Sequence, residues 1–287
     1  MILCYNSDIQ SIVKEGGRMK TLWIVVPCYN EEDMLPNIYM DFIKELHILK
    51  RRKLVSDKSL ILFVDDGSTD STWKYIKQLT EQYEEIEGLK LKNNSGQMHA
   101  LLAGLMTAKK HHASAVITLD CDGQDDITLM EQMVEKYLEG NDIVYAVRNN
   151  RDSDSWFKRT TAQLYYRIFR IFNKSLIYNH AEYRLMSNRI LYYLDAHGED
   201  KPFIRKICGA ITYYDKVPSA YVYYSRHERI AGKTHYSLKS MLKLALSSLR
   251  PVTHETGHVS HKKQYQIETC TLEPIILQNS IDISIYT

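Results

Sequence analysis

The sequence predicts an α/β protein with a mainly parallel central sheet flanked by helices. Short apolar runs rich in valine and isoleucine alternate with longer segments of helical periodicity, and each run ends in polar or turn-forming residues. Strands that alternate with helices of this length pair in parallel through right-handed crossovers. The chain has 287 residues, 44% hydrophobic and 25% charged, which is enough for a large buried core.

The predicted elements follow one another from Met19 onward. The strands are expected at residues 22–26, 60–64, 115–119 and 143–147. The helices between them are expected at residues 31–50, 71–85, 97–112 and 127–139. Asp70 is expected to cap the second helix and Gly140 to end the fourth. After Arg148 the pattern changes to long helices rich in aromatic and basic residues.

Composition excludes several classes of protein. Lys and Arg number 37 against 35 Asp and Glu, a net charge of +2, which excludes a polycationic nucleic-acid coat or an acidic tail protein. The five cysteines form no C-x-x-C pair, so a reducing compartment is expected rather than a disulfide framework or zinc knuckle. No stretch offers the roughly 18 to 20 uncharged apolar residues of a membrane span, and no signal peptide is recognised. We therefore expect a cytoplasmic protein that binds no nucleic acid.

The chain is expected to divide into four segments. Residues 1–18 show no useful periodicity, and we interpret them as a non-native leader before a natural start at Met19. A single folded domain is predicted over residues 19–235, followed by an amphipathic interfacial helix over 236–250. Residues 251–287 have neither a helix nor a strand period, and we interpret them as the irregular tail of a truncated or frameshifted product.

Acidic residues follow three of the predicted strands. The segments are P-C-Y-N-E-E (27–32), D-D-G-S-T-D (65–70) and D-C-D-G-Q-D-D (120–126). In open α/β sheets ligands bind outside the carboxyl ends of the strands, so these carboxylates are expected to meet at the ligand site. Carboxylates gathered at one edge repel one another and resist desolvation, and a divalent cation relieves both effects. Asp-x-Asp also occurs in plain turns, but its place after an apolar strand favours function.

The D-x-D segment is the candidate metal site. Asp120 and Asp122 are two residues apart, so in an extended chain both side chains leave the same face. They would hold Mg²⁺ or Mn²⁺ against a substrate diphosphate, and Gln124 could add a carbonyl oxygen.

The same strand ends are candidates for binding a nucleotide. The sequence has neither G-x-G-x-x-G nor G-x-x-x-x-G-K-[ST], so a nucleotide would be held by carboxylates and a metal rather than by a glycine cradle. Asp65 or Asp66 could accept a hydrogen bond from the N–H of uracil or guanine, and Tyr29 could stack on the base or ribose.

Six motifs in order resemble the inverting family 2 glycosyltransferases. They are V-V-P-C-Y-N-E-E (25–32), V-D-D-G-S-T-D (64–70), N-S-G-Q (94–97), L-D-C-D-G-Q-D (119–125), A-E-Y-R-L-M-S (181–187) and E-R-I-A-G (228–232). The resemblance spans about residues 19–246 and is greatest to the polyprenyl-phosphate branch, which includes dolichyl-phosphate mannose synthase and bactoprenol glucosyltransferases. It implies the GT-A nucleotide-diphospho-sugar transferase fold and Mg²⁺ or Mn²⁺ as cofactor. It also implies transfer of a hexose, glucose from UDP-glucose, to a polyprenyl phosphate such as undecaprenyl phosphate.

The resemblance also implies a role for each site residue. The nucleotide-sugar donor would contact Pro27, Tyr29, Glu31, Asp65, Asp66, Gln97, Asp120, Arg229 and Lys233. The metal would be held by Asp120, Asp122 and Gln124. The acceptor phosphate would meet Arg148 and Arg151, unless these arginines belong to a solvated surface loop. The candidate catalytic residues are Asp122 and Glu182.

Glu182 stands where the family usually carries an acidic residue described as the catalytic base. A phosphate monoester has its second pKa near about 6, so the acceptor is already an anion and needs little proton abstraction. The alternatives are that Glu182 orients Arg184 or the sugar hydroxyls, or that it forms a structural pair with that arginine.

Two segments predict contact with a membrane surface. Residues 156–173 and 236–250 combine basic side chains with aromatic or apolar ones at helical spacing, which suits the plane of an anionic membrane. The alternative is that both pack on the sheet. The expected location is peripheral, on the inner face of the plasma membrane, whereas full-length relatives of the branch are usually integral membrane proteins. The sequence does not decide whether the protein forms a homo-oligomer.

Two other functions stay open at this point. A family 2 transferase could act on a soluble or cell-wall glycan acceptor. A truncated chain could also bind nucleotide sugar without turnover.

Overall fold

In the part of the chain that the structure describes, a mixed sheet of eight strands covered by helices on both faces forms the framework. The computed structural model describes residues 19–148, 180–196, 204–225 and 265–272. The strands are β1 (Leu22–Cys28), β2 (Leu60–Asp65), β3 (Ile86–Leu91), β4 (Ala115–Thr118), β5 (Ile143–Arg148), β6 (His180–Ser187), β7 (Ser219–Tyr224) and β8 (Ile267–Cys270). The helices are α1 (Leu35–Arg51), α2 (Thr72–Gln82), α3 (Gln97–Lys110), α4 (Leu129–Leu138), α5 (Asn188–Ala196) and α6 (Ile204–Tyr214).

The sheet confirms the predicted parallel pairing for part of its width. Its order is β7-β5-β6-β4-β1-β2-β3-β8, and β4, β1, β2 and β3 run parallel. The fourth predicted strand, β5, runs in the same direction as this set and pairs in parallel with β7, but it does not pair directly with β4. β6 lies between β4 and β5 and runs antiparallel to both. Its sequence, H-A-E-Y-R-L-M-S, gave no strand signal because Glu182 and Arg184 interrupt its apolar residues.

The core lies on both faces of the sheet. All seven residues of β1 are buried, as expected for a central strand covered on both sides. Leu22, Ile24 and Val26 face the side covered by α1, α2 and α4. Trp23 and Val25 face the side covered by α3, α5 and α6. The two layers of helices leave the carboxyl ends of the parallel strands as the open edge.

Three further elements differ from the sequence prediction. β3, with the sequence I-E-G-L-K-L, was not predicted because its glycine and two charged residues interrupt the apolar pattern. β7 falls in a tyrosine-rich segment that was expected to be helical, and its burial instead alternates along the strand. β8 falls in the predicted irregular tail, where it pairs antiparallel with β3 through exposed residues. A hydrogen bond of 2.8 Å from the Lys92 N–H to the Gln266 carbonyl extends that pairing.

Gly67 lies where the loop after β2 crosses the loop before α3. Its φ is +67°, and a Cβ atom there would lie 2.5 Å from the carbonyl carbon of Asn93 and 2.7 Å from the nitrogen of Asn94. Both neighbours are backbone atoms, so neither can turn aside as a side chain would. The crossing therefore requires glycine for its conformation and for its lack of a side chain.

We predict that Gly67→Ala lowers the free energy of unfolding by about 3 kcal/mol, because it adds a steric clash to the cost of a positive φ. Gly140→Ala is the matched control, since Gly140 has a φ of +101° but nothing within 4 Å of the added Cβ. The free energy of unfolding of the control should fall by about 1 kcal/mol. Urea denaturation of both variants measures the difference, and equal losses would contradict the role given to the crossing.

Candidate active site

Loops at the carboxyl ends of β1 and β2 are joined by hydrogen bonds between side chains and backbone. The Asn30 N–H donates to Ser68 Oγ at 2.9 Å, and the Thr69 N–H donates to Asn30 Oδ1 at 2.9 Å. The Glu31 N–H donates to Thr72 Oγ1 at 2.8 Å. Asp70 was predicted to cap α2, but the N-cap is Ser71; Asp70 lies one residue earlier, and its Oδ1 accepts the Thr72 N–H at 3.0 Å. These bonds fix the two loops as one surface.

Asp65 and Asp66 have different surroundings although they are adjacent in sequence. Asp65 Oδ1 accepts the Ser68 N–H at 3.1 Å, whereas its buried Oδ2 has no hydrogen-bond partner. Asp66 accepts the N–H groups of Ser95 and Gly96, both at 2.8 Å, so its carboxylate fixes the start of α3. Burial raises the pKa of both aspartates above the ordinary value, and these hydrogen bonds oppose the shift. Asp65 therefore offers an acceptor oxygen, and Asp66 holds the neighbouring loop.

The other donor-site residues predicted after β1 lie beside Asp65. Cys28 pairs in register with Asp65 across β1 and β2, and Pro27 precedes it in the strand. Tyr29 and Glu31 follow in the loop and are partly buried. The structure thus brings this group together at the edge where a nucleotide was expected.

Gln97 connects this surface to the D-x-D segment. It is the first residue of α3, and its Nε2 donates to Asp120 Oδ1 at 2.6 Å. On the same segment, the Gln124 N–H donates to Asp122 Oδ1 at 3.1 Å and tightens the turn after the second aspartate. Gln97 was predicted to contact the donor, and here it orients one of the predicted metal ligands.

Negative charge is concentrated around Asp120. Burial is the largest influence, followed by the carboxylates of Asp125, Asp122 and Glu182, and together they raise the pKa of Asp120 to about 7. The nearby Arg148 opposes this shift. The crowding shows that a positive charge is favoured at this position.

The donor atoms of the D-x-D segment fit a hard divalent cation. Asp120, Asp122 and Gln124 offer only oxygen atoms, which Mg²⁺ and Mn²⁺ prefer. Within the part of the chain that the structure describes, no three His, Cys, Asp or Glu side chains form a complete metal centre. The set therefore fits an ion that uses one or two carboxylates and takes further ligands from a bound phosphate.

Glu182 on β6 is held by two arginines. Its Oε2 accepts Arg184 Nη2 at 2.6 Å, and its Oε1 lies 2.9 Å from Arg205 Nη2 and 3.1 Å from Nε. Glu182 is 8% exposed and Arg184 is fully buried. The pair with Arg184, one of the alternatives from the sequence, is present. Both carboxylate oxygens are engaged, so a base would have to release one of them, and the base role stays a prediction.

Arg148 is the last residue of β5 rather than part of the following loop. Its Nε donates to the Tyr224 hydroxyl at 3.1 Å, and its Nη2 lies 3.5 Å from Asp125 Oδ1. The remaining predicted residues, Arg151, Arg229 and Lys233, lie outside the described residues. The predicted membrane-facing segments 156–173 and 236–250 lie outside them too.

Two buried thiols lie below the loops. Cys28 ends β1, and Cys121 lies between the two aspartates of the D-x-D segment. Burial and contact with the Cys121 thiol raise the pKa of Cys28 well above its usual value. A thiol in such surroundings stays protonated, so it fills the core and is not a reactive group.

Three residues near the site were not assigned from the sequence: Asp125, Tyr224 and Arg205. Asp125 belongs to the L-D-C-D-G-Q-D motif, but nothing in the spacing of that motif distinguishes it from the neighbouring aspartates. Tyr224 and Arg205 lie about 100 and 80 residues further along the chain, so only the folded sheet brings them to the D-x-D segment.

Among the described helices, none is long and apolar enough to span a bilayer.

Solved structures share this fold. Glucosyl-3-phosphoglycerate synthase from Mycobacterium tuberculosis, in complex with Mn²⁺, UDP and phosphoglyceric acid, superposes with a TM-score of 0.58 at 16% identity. The match covers 85% of this chain and 81% of that one. Mannosyl-3-phosphoglycerate synthase from Rubrobacter xylanophilus gives a TM-score of 0.51 at 18% identity, covering 85% and 78% of the two chains. The fold is the GT-A fold of nucleotide-diphospho-sugar transferases, as predicted.

Sequence comparison then identifies the family. The model of glycosyl transferase family 2 matches residues 23–193, and the chain belongs to this family. The uncharacterized glycosyltransferase YkoT of Bacillus subtilis (strain 168) is 44% identical over 228 residues, 79% of this chain and 66% of YkoT. The prophage bactoprenol glucosyl transferase homolog of Escherichia coli (strain K12) is 32% identical over 227 residues, 79% and 70% of the two chains. The bactoprenol glucosyl transferase of Shigella phage SfV is 32% identical over 229 residues, with the same coverage.

These comparisons confirm two predictions, the family and the glycosyltransferase class of enzyme. The chain spans about two thirds of the length of the curated relatives it matches. The roles of the individual site residues stay predictions.

We predict that Asp120→Asn stabilises the metal-free protein at pH 8 by about 2 kcal/mol or more. The pKa of Asp120 rises from an ordinary 3.8 to about 7 on folding, so folding binds a proton. The stability that this group contributes is therefore complete below about pH 4 and is lost as the pH rises through 7. The advantage of the asparagine should accordingly shrink as the pH falls to 4.

Thermal denaturation with a chelator, at pH 4 and pH 8, measures this dependence. Asp33→Asn, at an exposed aspartate in the loop after β1, is the control and should behave alike at both values. An Asp120→Asn variant that shows no pH-dependent gain would contradict the assigned crowding.

We predict that Glu182→Gln lowers the free energy of unfolding by about 3 kcal/mol, because it leaves the buried Arg184 without its counter-charge. Asp41→Asn is the control, since it removes an exposed ion pair of 3.0 Å with Lys44 and should cost less than about 0.5 kcal/mol. Urea denaturation at pH 7 compares the two. A loss at Glu182 no larger than the control would mean that the carboxylate does not hold the arginines.

Proposed function

We propose that the protein transfers glucose from UDP-glucose to a polyprenyl phosphate, such as undecaprenyl phosphate, with inversion at the anomeric carbon. The observation that carries the proposal is the position of Asp120 and Asp122. They lie at the carboxyl edge of the sheet, between the loops proposed for the nucleotide and the arginine proposed for the acceptor. The bactoprenol glucosyl transferases among the relatives support both the sugar and the lipid acceptor.

The donor site is proposed to begin at the joined loops after β1 and β2. Asp65 Oδ2, which is buried without a partner, would accept the N–H of the uracil base. Tyr29 lies one residue beyond β1 and would stack on the base or ribose. The hydrogen bonds between the loops support this role, because they fix both groups before the nucleotide arrives.

The diphosphate is proposed to lie against the D-x-D segment. Asp120, Asp122 and Gln124 would hold a Mg²⁺ or Mn²⁺ ion, which would neutralise the charge that develops on the departing UDP. The structural neighbours crystallised with Mn²⁺ or Mg²⁺ support the use of such an ion. Gln97 would keep Asp120 directed at this position through its 2.6 Å hydrogen bond.

The acceptor is proposed to approach from the side of β5. A phosphate oxygen of the lipid would attack the anomeric carbon, and the bond from that carbon to the UDP oxygen would break with its electron pair left on UDP. A phosphate monoester is ionised at neutral pH, so the attack needs no strong base. Arg148 would pair with the acceptor phosphate through its planar fork of N–H donors.

Glu182 is proposed to position charge rather than to take up a proton. Its carboxylate already holds two guanidinium groups, and it lies near enough to Asp120 to raise the pKa of that residue.

A polyprenyl phosphate lies in a membrane, so the reaction is proposed to occur at the cytoplasmic face. Segments 156–173 and 236–250 remain candidates for contact with that surface.

Two alternatives were open from the sequence, a soluble or cell-wall glycan acceptor and a chain that binds without turnover. The relatives named for bactoprenol favour the lipid acceptor over a glycan. Both alternatives have distinct outcomes in the same assay. Transfer to a glycan but not to the lipid would support the first, and UDP-glucose binding without product would support the second.

We predict that the purified full chain makes lipid-linked glucose from UDP-glucose and undecaprenyl phosphate only when Mg²⁺ or Mn²⁺ is present. Asp122→Asn should lower kcat by about 100-fold or more, because it removes a ligand of the charge-neutralising ion. The measurement follows radiolabelled glucose into the lipid phase. Asp33→Asn is the control, because it removes the same charge at an exposed aspartate outside the proposed metal site. Full activity in a chelator, or in the Asp122→Asn variant, would overturn the proposal.

A further inference from the structure

Asp125, Tyr224 and Arg148 form a closed ring of polar contacts beside the D-x-D segment. The Tyr224 hydroxyl donates to Asp125 Oδ1 and accepts from Arg148 Nε at 3.1 Å. Arg148 Nη2 closes the ring at 3.5 Å from the same carboxylate oxygen. Asp125 is 5% exposed and Tyr224 is 3% exposed, so the ring is largely shielded from water.

The three residues come from two different parts of the site. Arg148 and Tyr224 are paired in register at the carboxyl ends of β5 and β7. Asp125 belongs to the loop after β4, which lies on the other side of β6 and carries both aspartates of the D-x-D segment. The ring therefore ties the loop proposed for the donor diphosphate to the arginine proposed for the acceptor phosphate.

The ring is costly as a purely structural feature. Asp125 Oδ2 is buried without a hydrogen-bond partner, and a buried charge that is only partly compensated is destabilising. An apolar side chain at position 125 would avoid this cost. A buried carboxylate that has one oxygen without a partner and lies beside the D-x-D segment points to a role in the site rather than in stability.

The surroundings of Arg148 show what the ring would do. Asp120 and Asp125 both act electrostatically on this guanidinium. A long, flexible arginine next to the D-x-D carboxylates is attracted towards them, where it would compete with the metal and turn away from the acceptor. Asp125 draws the guanidinium to one side, and the Tyr224 hydroxyl fixes the direction of Nε.

We propose that Asp125 and Tyr224 are positioning residues that hold Arg148 in the orientation in which it receives the acceptor phosphate. This inference rests on the proposed function, because it takes Arg148 as the acceptor clamp. Neither residue is proposed to touch the substrates.

Tyr224→Phe is the sharpest test of the ring. The Tyr224 hydroxyl contacts both other members and can be removed alone. The aromatic ring of Tyr224 lies edge-on to that of Tyr183 with centroids 6.1 Å apart, so phenylalanine keeps that packing. Tyr223→Phe is the matched control, since Tyr223 is the preceding residue of β7 and is 58% exposed. Both variants are assayed as the full chain.

Loss of the hydroxyl should raise the KM for undecaprenyl phosphate about tenfold, because it removes one buried hydrogen bond from the clamp. The KM for UDP-glucose and the slow hydrolysis of UDP-glucose without acceptor should stay within about twofold. A purely structural role would instead lower the folded fraction and change all of these rates together. An acceptor KM within twofold of the wild type overturns the inference.

Two further variants complete the test. Asp125→Asn keeps an oxygen acceptor for the hydroxyl but removes the charge, and it should raise the acceptor KM in the same way. In an Arg148→Lys background, Tyr224→Phe should have less than a twofold further effect, because the group that it positions has gone. Fully additive effects overturn the inference. If neither Tyr224→Phe nor Asp125→Asn folds, the ring is structural and the positioning role is rejected.

The test separates failure of this inference from failure of the proposed function. A wild-type chain that makes no lipid-linked glucose overturns the proposed function and this inference with it. An active wild type together with an unchanged Tyr224→Phe variant overturns the inference alone.

Discussion

Crowding of carboxylates at the end of β4 is the constraint around which the candidate site is arranged. Asp120 lies close enough to Asp122, Asp125 and Glu182 for burial and repulsion to raise its pKa to about 7. A fold that served stability alone would not collect these groups, since each one makes the ionisation of the others more costly. In the proposed function, a cation and a substrate phosphate that enter together would make the arrangement favourable. The electrostatic cost at Asp120 would thus be relieved by the ligands that the proposed function requires.

The positive charges that offset this crowding come from elements far apart in the chain. Arg184 lies on β6, Arg205 lies on α6, and Arg148 ends β5. Arg184 and Arg205 share the carboxylate of Glu182, whereas Arg148 is held by Asp125 and the Tyr224 hydroxyl. The antiparallel insertion of β6 between β4 and β5 makes this possible, because it brings a buried Glu-Arg pair directly beside the D-x-D strand. Topology, rather than any local motif, thus supplies the counter-charges.

The sequence predicted those parts of the site in which a strand and the functional residues after it are adjacent along the chain. The apolar runs that became β1, β2 and β4, and the aspartates that follow them, were predicted because strand ends and turn residues are adjacent in sequence. β3 and β6 were not predicted, since charged residues on buried strands remove the pattern on which the prediction rests. The different surroundings of Asp65 and Asp66 were not predictable either. They depend on the Ser95 and Gly96 N–H groups, which reach Asp66 only through the crossing at Gly67.

The two sides of the site are held by different kinds of interaction. On the side of β1 and β2, backbone N–H groups donate to side-chain oxygens, such as the Thr69 N–H to Asn30 Oδ1 and the Ser95 N–H to Asp66 Oδ1. On the side of β5 and β6, charged groups hold one another, and the charge of Asp120 acts on Arg148. In the proposed function these are the donor side and the acceptor side, and a donor side fixed beforehand with an acceptor side that responds to charge would favour ordered binding. The donor diphosphate and its cation would change the field at Arg148 before the acceptor phosphate arrives.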